Sequence, residues 1–443
     1  MIAVTETLRN RIQFGRELRH KLKRSDQSFW KPSQRKHDPL EIILACNCER
    51  IPELVPVKMA RMAVSPFGYF RGNVPVMAAD LATLPRTGIE VQICGDAHVR
   101  NLGAFAALDG RMIFDLNDFD ETIHGPWEWD VKRLVTSLVL AGRQARHSEN
   151  SCCEAVLTCV ETYRSKMTEF SAMTRLELTK YRIHRQFVCK PGASMLQRAE
   201  RATPEHNLEK LTTGRGKKIA FKQDRPIMLR PSKARQAMVL RSLGQYRETL
   251  GPPSQLLLSF YKPVAVTFKI VGTGSVATHD YVVLHFSGEG AADPLFLQVK
   301  QAVPSAYAPY LRLANMPMNQ GERVVRGQRL LQFQPDLLLG WCSFGGADYL
   351  VRQLNDHKGS IEDDDLAGEG LTEYAVMCGE VLARGHARSG DPALLAGYIG
   401  TNERLDRALA KFAVEYADQT TADHGAFVKA VKAGKIKATK PYL

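Results

Sequence analysis

The sequence predicts an α+β fold in two lobes, one a small antiparallel β-sheet and the other mainly helical. Three features predict it. Two short apolar strands, 88–94 and 111–114, each run into an acidic turn. Three β-like stretches, 264–270, 281–286 and 295–300, follow one another between glycine-containing turns. Helical periodicity fills much of the rest; within 127–145, Trp129, Leu134, Leu138 and Ala141 fall on one face.

In chain order, residues 1–58 read as a basic arm followed by a helix over 38–50. Residues 59–255 carry the acidic turns and the first long helices. Their last part, 185–255, is basic and broken by Gly and Pro, and reads as a linker or insertion. Residues 256–358 hold the strands, with a helix near 322–334 and a further strand at 349–354. Residues 359–443 return to helix, at 371–388 and again from 402 onward.

Lysine and arginine number 60 against 47 acids, a net charge of +13, which suits anionic partners: nucleotides, phosphorylated metabolites, nucleic acid or acidic lipid. No nucleic-acid-binding signature accompanies the charge. A chain that is 44% hydrophobic and 24% charged is not expected to be disordered. Arg9, Arg11, Arg16 and Arg19 interrupt any early apolar segment, and no run of about 18 apolar residues exists, so neither a secretory leader nor a membrane span is expected. Nine cysteines without metal-type spacing suit a reduced, cytoplasmic setting.

The chemistry concentrates in the segment QICGDAHVRNLGAFAALDGRMIFDLNDFDE, residues 92–121. One turn holds Asp96, His98 and Asn101; the other holds Asp115, Asn117, Asp118, Asp120 and Glu121. Carboxylates this dense repel one another unless a cation compensates. Asp and Asn oxygens suit Mg²⁺, which leaves room for phosphate and water. A calcium loop fits poorly, because the run DLNDFD places Phe119 where a ligand should stand and lacks the glycine of the sharp turn. Helix capping explains one or two of these acids but not both turns.

Gly-Asp-x-His-x-x-Asn followed by an apolar strand and Asp resembles the catalytic and metal loops of aminoglycoside and choline kinase-like enzymes. The resemblance implies Asp96 as catalytic base, Asn101 as a metal ligand and Asp115 as the principal metal carboxylate. Cys94 stands where that family usually has histidine, and Asp118 and Asp120 are extra acids, either able to replace or assist Asp115. His98 lies inside the catalytic loop, as a participant or as support for its shape. Longer motifs, SPFGYFRG at 65–72, CGDAHVRNLG at 94–103, FDLNDFDET at 114–122, GPWEWDVKRL at 125–134 and VRQLNDHKGS at 351–360, resemble the bacterial family catalogued as domain of unknown function 2252. That resemblance implies a kinase-like fold and no particular reaction.

A kinase-like site also needs a glycine loop and a lysine for the nucleotide phosphates. Nothing before Asp96 qualifies. Downstream, Gly272, Thr273, Gly274 and Ser275 lie between two strands, and the next strand ends in Lys300. Either feature alone is as well explained by a hairpin turn and a surface lysine. Together with the acids they predict a circularly permuted protein-kinase-like fold, in which the catalytic-lobe loops precede the nucleotide-lobe strands. Lys300 is expected to pair with Glu322 on the following helix, or directly with a metal-site aspartate. Arg71 is a phosphate contact or the partner of an acid such as Asp80 or Asp120. His386 reads as a satisfied helix histidine, Trp127 and Trp129 as core anchors, and Asp130 and Arg133 as a cap or pair at a helix start.

The function expected is an ATP- and Mg²⁺-dependent phosphotransferase acting on a hydroxyl of a small-molecule or protein acceptor. A non-catalytic nucleotide sensor or nucleic-acid-binding protein is the alternative. A metallophosphoesterase would use Asp96-x-His98, but the later Gly-Asn-His station is missing. The test the sequence sets is spatial: Lys300 and the 272–275 loop must close over Asp96 and Asp115.

Overall fold

The computed structural model describes residues 7–107, 109–183, 189–214, 219–225, 227–270, 272, 274–288, 293–312, 318–354 and 359–439. Its fold is α+β, helices arranged around small antiparallel sheets. The chain starts with α1 (Leu8–Lys21), α2 (Pro39–Ala45), α3 (Val55–Ala63), α4 (Pro66–Gly72) and α5 (Val74–Ala82). Thr7, Asp38 and Ser65 cap the first, second and fourth of these, and prolines sit in the first turns of α2 to α5. The basic arm is folded onto the body. Gly15 of α1 meets a later helix so closely that a Cβ there would lie 2.2 Å from the Leu394 carbonyl oxygen. Arg35 bridges Asp80 at 2.6 Å and Asp423 at 2.8 Å.

Next come β1 (Glu90–Ile93), β2 (Leu102–Ala106), β3 (Met112–Leu116) and β4 (Ile123–Pro126). β1 pairs with β4, and β2 with β3, both antiparallel. The two acidic turns therefore join the ribbon β1–β4 to the hairpin β2–β3, one turn on each side. Then follow α6 (Trp127–Gln144), α7 (Glu149–Ala172) and α8 (Arg175–Lys180), the last opened by a capping box of Thr174 and Glu177. α6 is buried on every face from Trp127 to Gly142, as a helix at the centre of a core must be. Trp127 stacks on Tyr163 and Trp129 on Tyr307, so both are core anchors.

The segment expected to be a linker is structured. It forms α9 (Lys190–Arg201), α10 (Pro204–Leu211), the small hairpin β5 (Thr212–Thr213) and β6 (Ala220–Phe221), then β7 (Met228–Leu229), α11 (Lys233–Glu248) and α12 (Pro252–Ser259). Its glycines and prolines start and stop short elements, which the composition alone does not distinguish from a loop. β8 (Lys262–Lys269), β9 (Asp280–Phe286) and β10 (Pro294–Ala302) follow, then α13 (Gln320–Leu331), β11 (Gly340–Phe344), β12 (Ala347–Gln353) and β13 (Gly359–Ser360). The main sheet has the order β11-β12-β10-β9-β8-β7, antiparallel throughout, while β13 joins the edge of β2. α14 (Gly370–Ser389), α15 (Pro392–Ile399) and α16 (Arg404–Lys432) close the core around α6 and α7.

Alternation along the sheet sorts its side chains. Tyr281, Val283, Leu297, Val299, Tyr349 and Val351 point to one face and bury themselves against Val239 and Tyr246 of α11. On the other face, Val282, Leu284, Phe296 and Leu354 join an apolar cluster with Leu211 and Phe221. That same face carries Asp280, Gln298, Lys300 and Arg352, with Lys300 opposite Asp280 and Gln298 opposite Arg352 in register. The polar end of this face is turned to the acidic turns.

Candidate functional site

The first acidic turn is built on a glycine. Gly95 has φ +80°, and a Cβ at that position would lie 2.3 Å from the Glu121 carbonyl oxygen. The backbone N–H groups of Cys94 and Gly95 donate to the two carboxylate oxygens of Asp130, at 2.6 and 2.8 Å. Asp130 is also 3.3 Å from His386 Nε2, whose Nδ1 lies 2.8 Å from the Tyr163 hydroxyl. His386 is thus a satisfied core residue that supports the turn through Asp130. Gly95→Ala is expected to lower stability by about 2–4 kcal/mol. Urea unfolding checks this, and an alanine variant as stable as the wild type removes the steric account of the turn.

Asp96 points into a cavity with its carboxylate held from behind. Arg133, fully buried on α6, donates from Nε to Asp96 Oδ1 at 2.7 Å and places a second nitrogen 2.6 Å from it. The guanidinium stacks over the Phe70 ring at 4.2 Å and also donates to the Phe70 carbonyl. The other carboxylate oxygen faces His98 Nε2 at 3.6 Å. His98 Nδ1 accepts the Arg100 N–H, and burial pushes its pKa down to about 3, so the ring is neutral and supports the loop.

Asn101 sews the two acidic turns together. Its Nδ2 donates to the carbonyls of Asp96 and Asp118, each at 2.9 Å, and its Oδ1 accepts the Asp118 N–H at 2.7 Å. The oxygen expected to bind metal is committed to the backbone. Asp115 is displaced further from its expected role. It is fully buried on β3, 2.5 Å from Arg384 of α14, and accepts the N–H groups of Leu116 and Phe333. It does not line the cavity. The strand's alternation turns Asp115 inward to α14, and the acids beyond the strand end reach the cavity instead. Arg384→Met is expected to cost about 3–5 kcal/mol, because it leaves Asp115 buried without a counter-charge. Equal urea midpoints for variant and wild type would disprove that pairing.

Asp118 and Asp120 meet Lys300. The buried Lys300 Nζ lies 3.2 Å from both Asp118 oxygens and 2.6 Å from Asp120 Oδ2. Burial alone would lower the lysine pKa, but the two carboxylates outweigh it and hold the ammonium above its ordinary value. Asp120 is pushed up by burial and by Asp118, and its Oδ1 is buried with no hydrogen-bond partner. Glu322 is not the partner of Lys300. Asn319 caps α13, so Glu322 falls in the first turn and pairs with Arg326. Arg323 instead ties α13 to the acidic turn, donating to the carbonyls of Thr122, Asp120 and Val303.

The glycine loop lines the same cavity, of about 250 Å³, through Gly272, Gly274 and Ser275, together with Asp96, Asp118 and Asp120. Thr273 lies outside the described residues. Arg50 donates to the Gly274 and Val276 carbonyls at 2.9 and 2.6 Å, and Arg61 to the Gly272 carbonyl, so the loop before α3 and α3 itself grip the glycine loop. Arg71 also lines the cavity. It pairs with neither Asp80 nor Asp120; its guanidinium packs over the Phe67 ring, and its Nε is buried without a hydrogen bond. The structure thus brings together Asp96, His98, Asn101, Asp118, Asp120, Lys300, Arg71 and the described part of the glycine loop. Asp115 and Glu322 stand apart.

Arg323, Arg50 and Lys58 carry no motif in the sequence, and Asp130 and Arg133, read there as a cap or pair at a helix start, hold the first acidic turn from α6, Arg133 by pairing with Asp96. Asp130 and Arg133 were within reach: three residues apart on one helix, they share a face, and both belong to the GPWEWDVKRL motif. Among the described residues, no three His, Cys, Asp or Glu side chains converge into a metal cage. Asp118 with Asp120 is a pair, the number of carboxylates Mg²⁺ commonly takes when phosphate and water complete its shell.

On the sheet beside these groups, the Asp280 carboxyl is pushed up to about 7 by burial, partly offset by Lys300 and by a 2.7 Å hydrogen bond from Gln298. An acid raised in the folded state keeps a proton that the unfolded chain has already lost, so its contribution to stability falls as pH rises from about 4 to about 7. Asp280→Asn should therefore gain on the wild type across that window, on the order of 1–3 kcal/mol. Chemical unfolding in EDTA at pH 5 and pH 8 reads the difference; a gap that does not widen with pH contradicts the assignment.

The fold and the site define an α+β protein whose polar cleft joins an acidic two-turn motif to a sheet-borne lysine. A model of the family described as "Uncharacterized protein conserved in bacteria (DUF2252)" matches residues 50–430, and the chain belongs to that family. No curated protein and no solved structure is similar enough to match it. No helix among the described residues is long and apolar enough to cross a membrane.

Proposed function

We propose that this chain is an ATP- and Mg²⁺-dependent phosphotransferase with a circularly permuted kinase-like arrangement. The observation that carries the reading is the Lys300 contact: a lysine from the antiparallel sheet reaches both Asp118 and Asp120, with the glycine loop and Asp96 around the same cavity. Phosphoryl transfer needs these parts and little covalent chemistry from the protein. Chain order supports the permuted arrangement, since the acidic turns precede the sheet that supplies the loop and the lysine.

Asp118 and Asp120 would hold Mg²⁺, and the unpartnered Asp120 oxygen fits a cation. The ion would supply neutralisation of the phosphate charge. Lys300 and the 272–275 backbone take the nucleotide phosphates. Asp96 receives the acceptor hydroxyl by hydrogen bond. A new bond then forms between the acceptor oxygen and the γ-phosphorus, the bond from that phosphorus to ADP breaks, and the hydroxyl proton passes to Asp96 and on to water. Arg133 keeps Asp96 aimed, and as a buried cation it suits a carboxylate that orients a hydroxyl rather than a strong base.

A thermal-shift screen of nucleotides, with and without Mg²⁺, tests the reading. ATP is expected to raise the melting temperature more with Mg²⁺ than in EDTA. If no nucleotide stabilises the protein under either condition, the reading fails.

A further inference from the structure

The wall of the cavity contributed by residues 43–75 is not accounted for by nucleotide or metal. It contains Lys58 of α3 and Arg71 at the end of α4. Lys58 is 4% exposed, and the hydrogen bond it makes is a long one, 3.4 Å to Asn47 Oδ1. Arg71 has an aromatic ring beneath it and a buried Nε with nothing to donate to. Among the described residues neither cation forms an ion pair. Arg50 adds a third charge nearby, although its Nη1 is committed to the glycine-loop carbonyls. Glu121 acts electrostatically on Lys58, and Asp96, Asp363 and Asp118 on Arg71, but burial still dominates and lowers both cations; an anion seated against them offsets that cost.

We infer that Lys58 and Arg71 form a subsite for an anionic group, a phosphate or carboxylate, carried by a small-molecule acceptor and distinct from the place of the nucleotide phosphates. The word acceptor rests on the phosphotransferase reading; the anion subsite does not. Burial, reinforced by Arg50, pushes the Lys58 pKa well below the ordinary lysine value, and an anion beside it would favour the charged form. Arg71 lies within the electrostatic reach of Asp96 and Asp118, so an anion on Arg71 would stand beside the group that receives the hydroxyl. A cationic acceptor, such as an aminoglycoside or choline, would set its charge against Lys58, Arg71 and Arg50. The group this wall would take is therefore opposite in charge to the cationic substrates of the enzymes whose loops the sequence resembles, although Asp96, Asp118, Asp120 and Glu121 line the rest of the cavity.

Inorganic phosphate is the probe, with melting temperature read in EDTA at constant ionic strength. Phosphate is expected to stabilise the wild type. Lys58→Met and Arg71→Gln are each expected to weaken the apparent phosphate affinity about tenfold or more, and Lys300→Met to leave it within a few fold. Lys58→Met removes a buried cation and should fold at least as stably as the wild type, so a lost shift reports binding. Adding Mg²⁺ and a non-hydrolysable ATP analogue should leave the phosphate shift in place. Absence of a shift in the wild type overturns the inference. So does competition by the analogue, or a loss in Lys300→Met with none in Lys58→Met, since both assign the anion to the nucleotide phosphates. A phosphate shift that depends on Lys58 while no nucleotide binds supports the subsite and removes only the phosphotransferase reading.

Discussion

Lys300→Met is expected to abolish the ATP-dependent rise in melting temperature and to lower the stability of the free protein by about 3 kcal/mol. The two effects have separate causes. Methionine preserves most of the side-chain volume and removes the charge. In the free protein the ammonium is the cation that Asp118 and Asp120 share, at 3.2 and 2.6 Å. Without it the two carboxylates repel each other beside a buried apolar tip. The cost sits at the low end for a broken buried pair because the Asp118 side chain is 45% exposed. Mg²⁺ should recover part of the loss, since a divalent cation on the same carboxylates does what the ammonium did. ATP binding should not recover, because the phosphates lose the Lys300 ammonium, and turnover should fall about 10²–10³-fold. Urea unfolding with and without Mg²⁺, and a thermal shift with ATP, read the two effects independently. A variant that keeps its full ATP shift removes Lys300 from phosphate binding. A stability deficit indifferent to Mg²⁺ removes Asp118 and Asp120 from metal binding.

How much of this was legible in the sequence depends on which physical signal carried it. β8, β9, β10 and β12 were legible because they are short apolar runs between turn residues, a local pattern, while β7 and β11 were not. The meeting of Lys300 with the acids came from joining two weak motifs about 200 residues apart (300 − 96 = 204), which no local pattern links. Asp115 misled because motif spacing counts residues and not faces. It is the last but one residue of β3, and the pleat turns it to Arg384 while Asp118 and Asp120, past the strand end, reach the cavity. Glu322 misled in a similar way: the cap at Asn319 fixes which residue of α13 faces inward, and that residue is Arg323. Lys58 was invisible, since a lysine in an amphipathic helix reads as a solvated one, and its burial depends on packing from distant parts of the chain.

The arrangement around Asp96 also separates binding from turnover more cleanly than the motif alone suggested. Asp96 does not reach Lys300, and its carboxylate is organised by α6 from beneath, through Arg133 to the side chain and Asp130 to the turn's backbone. The nucleotide-facing groups are organised from elsewhere, by Arg50 and Arg61 on the glycine loop and by Arg323 on the second acidic turn. Asn101 joins the two turns through their backbones, but their side chains are braced from different elements, so a change confined to the Asp96 side chain is expected to leave the nucleotide half working.

Asp96→Asn should therefore reduce turnover about 10²–10⁴-fold while leaving the Mg²⁺- and ATP-dependent thermal shift within about threefold in apparent affinity. The asparagine oxygen can still accept from Arg133 Nε, as Asp96 Oδ1 does at 2.7 Å, so the turn keeps its position. The amide cannot receive the hydroxyl proton, and its NH₂ would replace the oxygen that faces His98. Some stability is lost, because Arg133 is fully buried and its guanidinium would be left without the charge it faces. For that reason the measurement is a ratio: release of inorganic phosphate from ATP, with water as acceptor, is compared with the ATP thermal shift at a temperature where both proteins are folded. Arg133→Lys gives the contrast. It retains the charge but not the fork geometry, and should lower turnover less than Asp96→Asn while broadening the pH dependence of the reaction. Full turnover in Asp96→Asn with an intact nucleotide shift would take the acceptor-orienting role away from Asp96 and leave the first acidic turn as a structural brace.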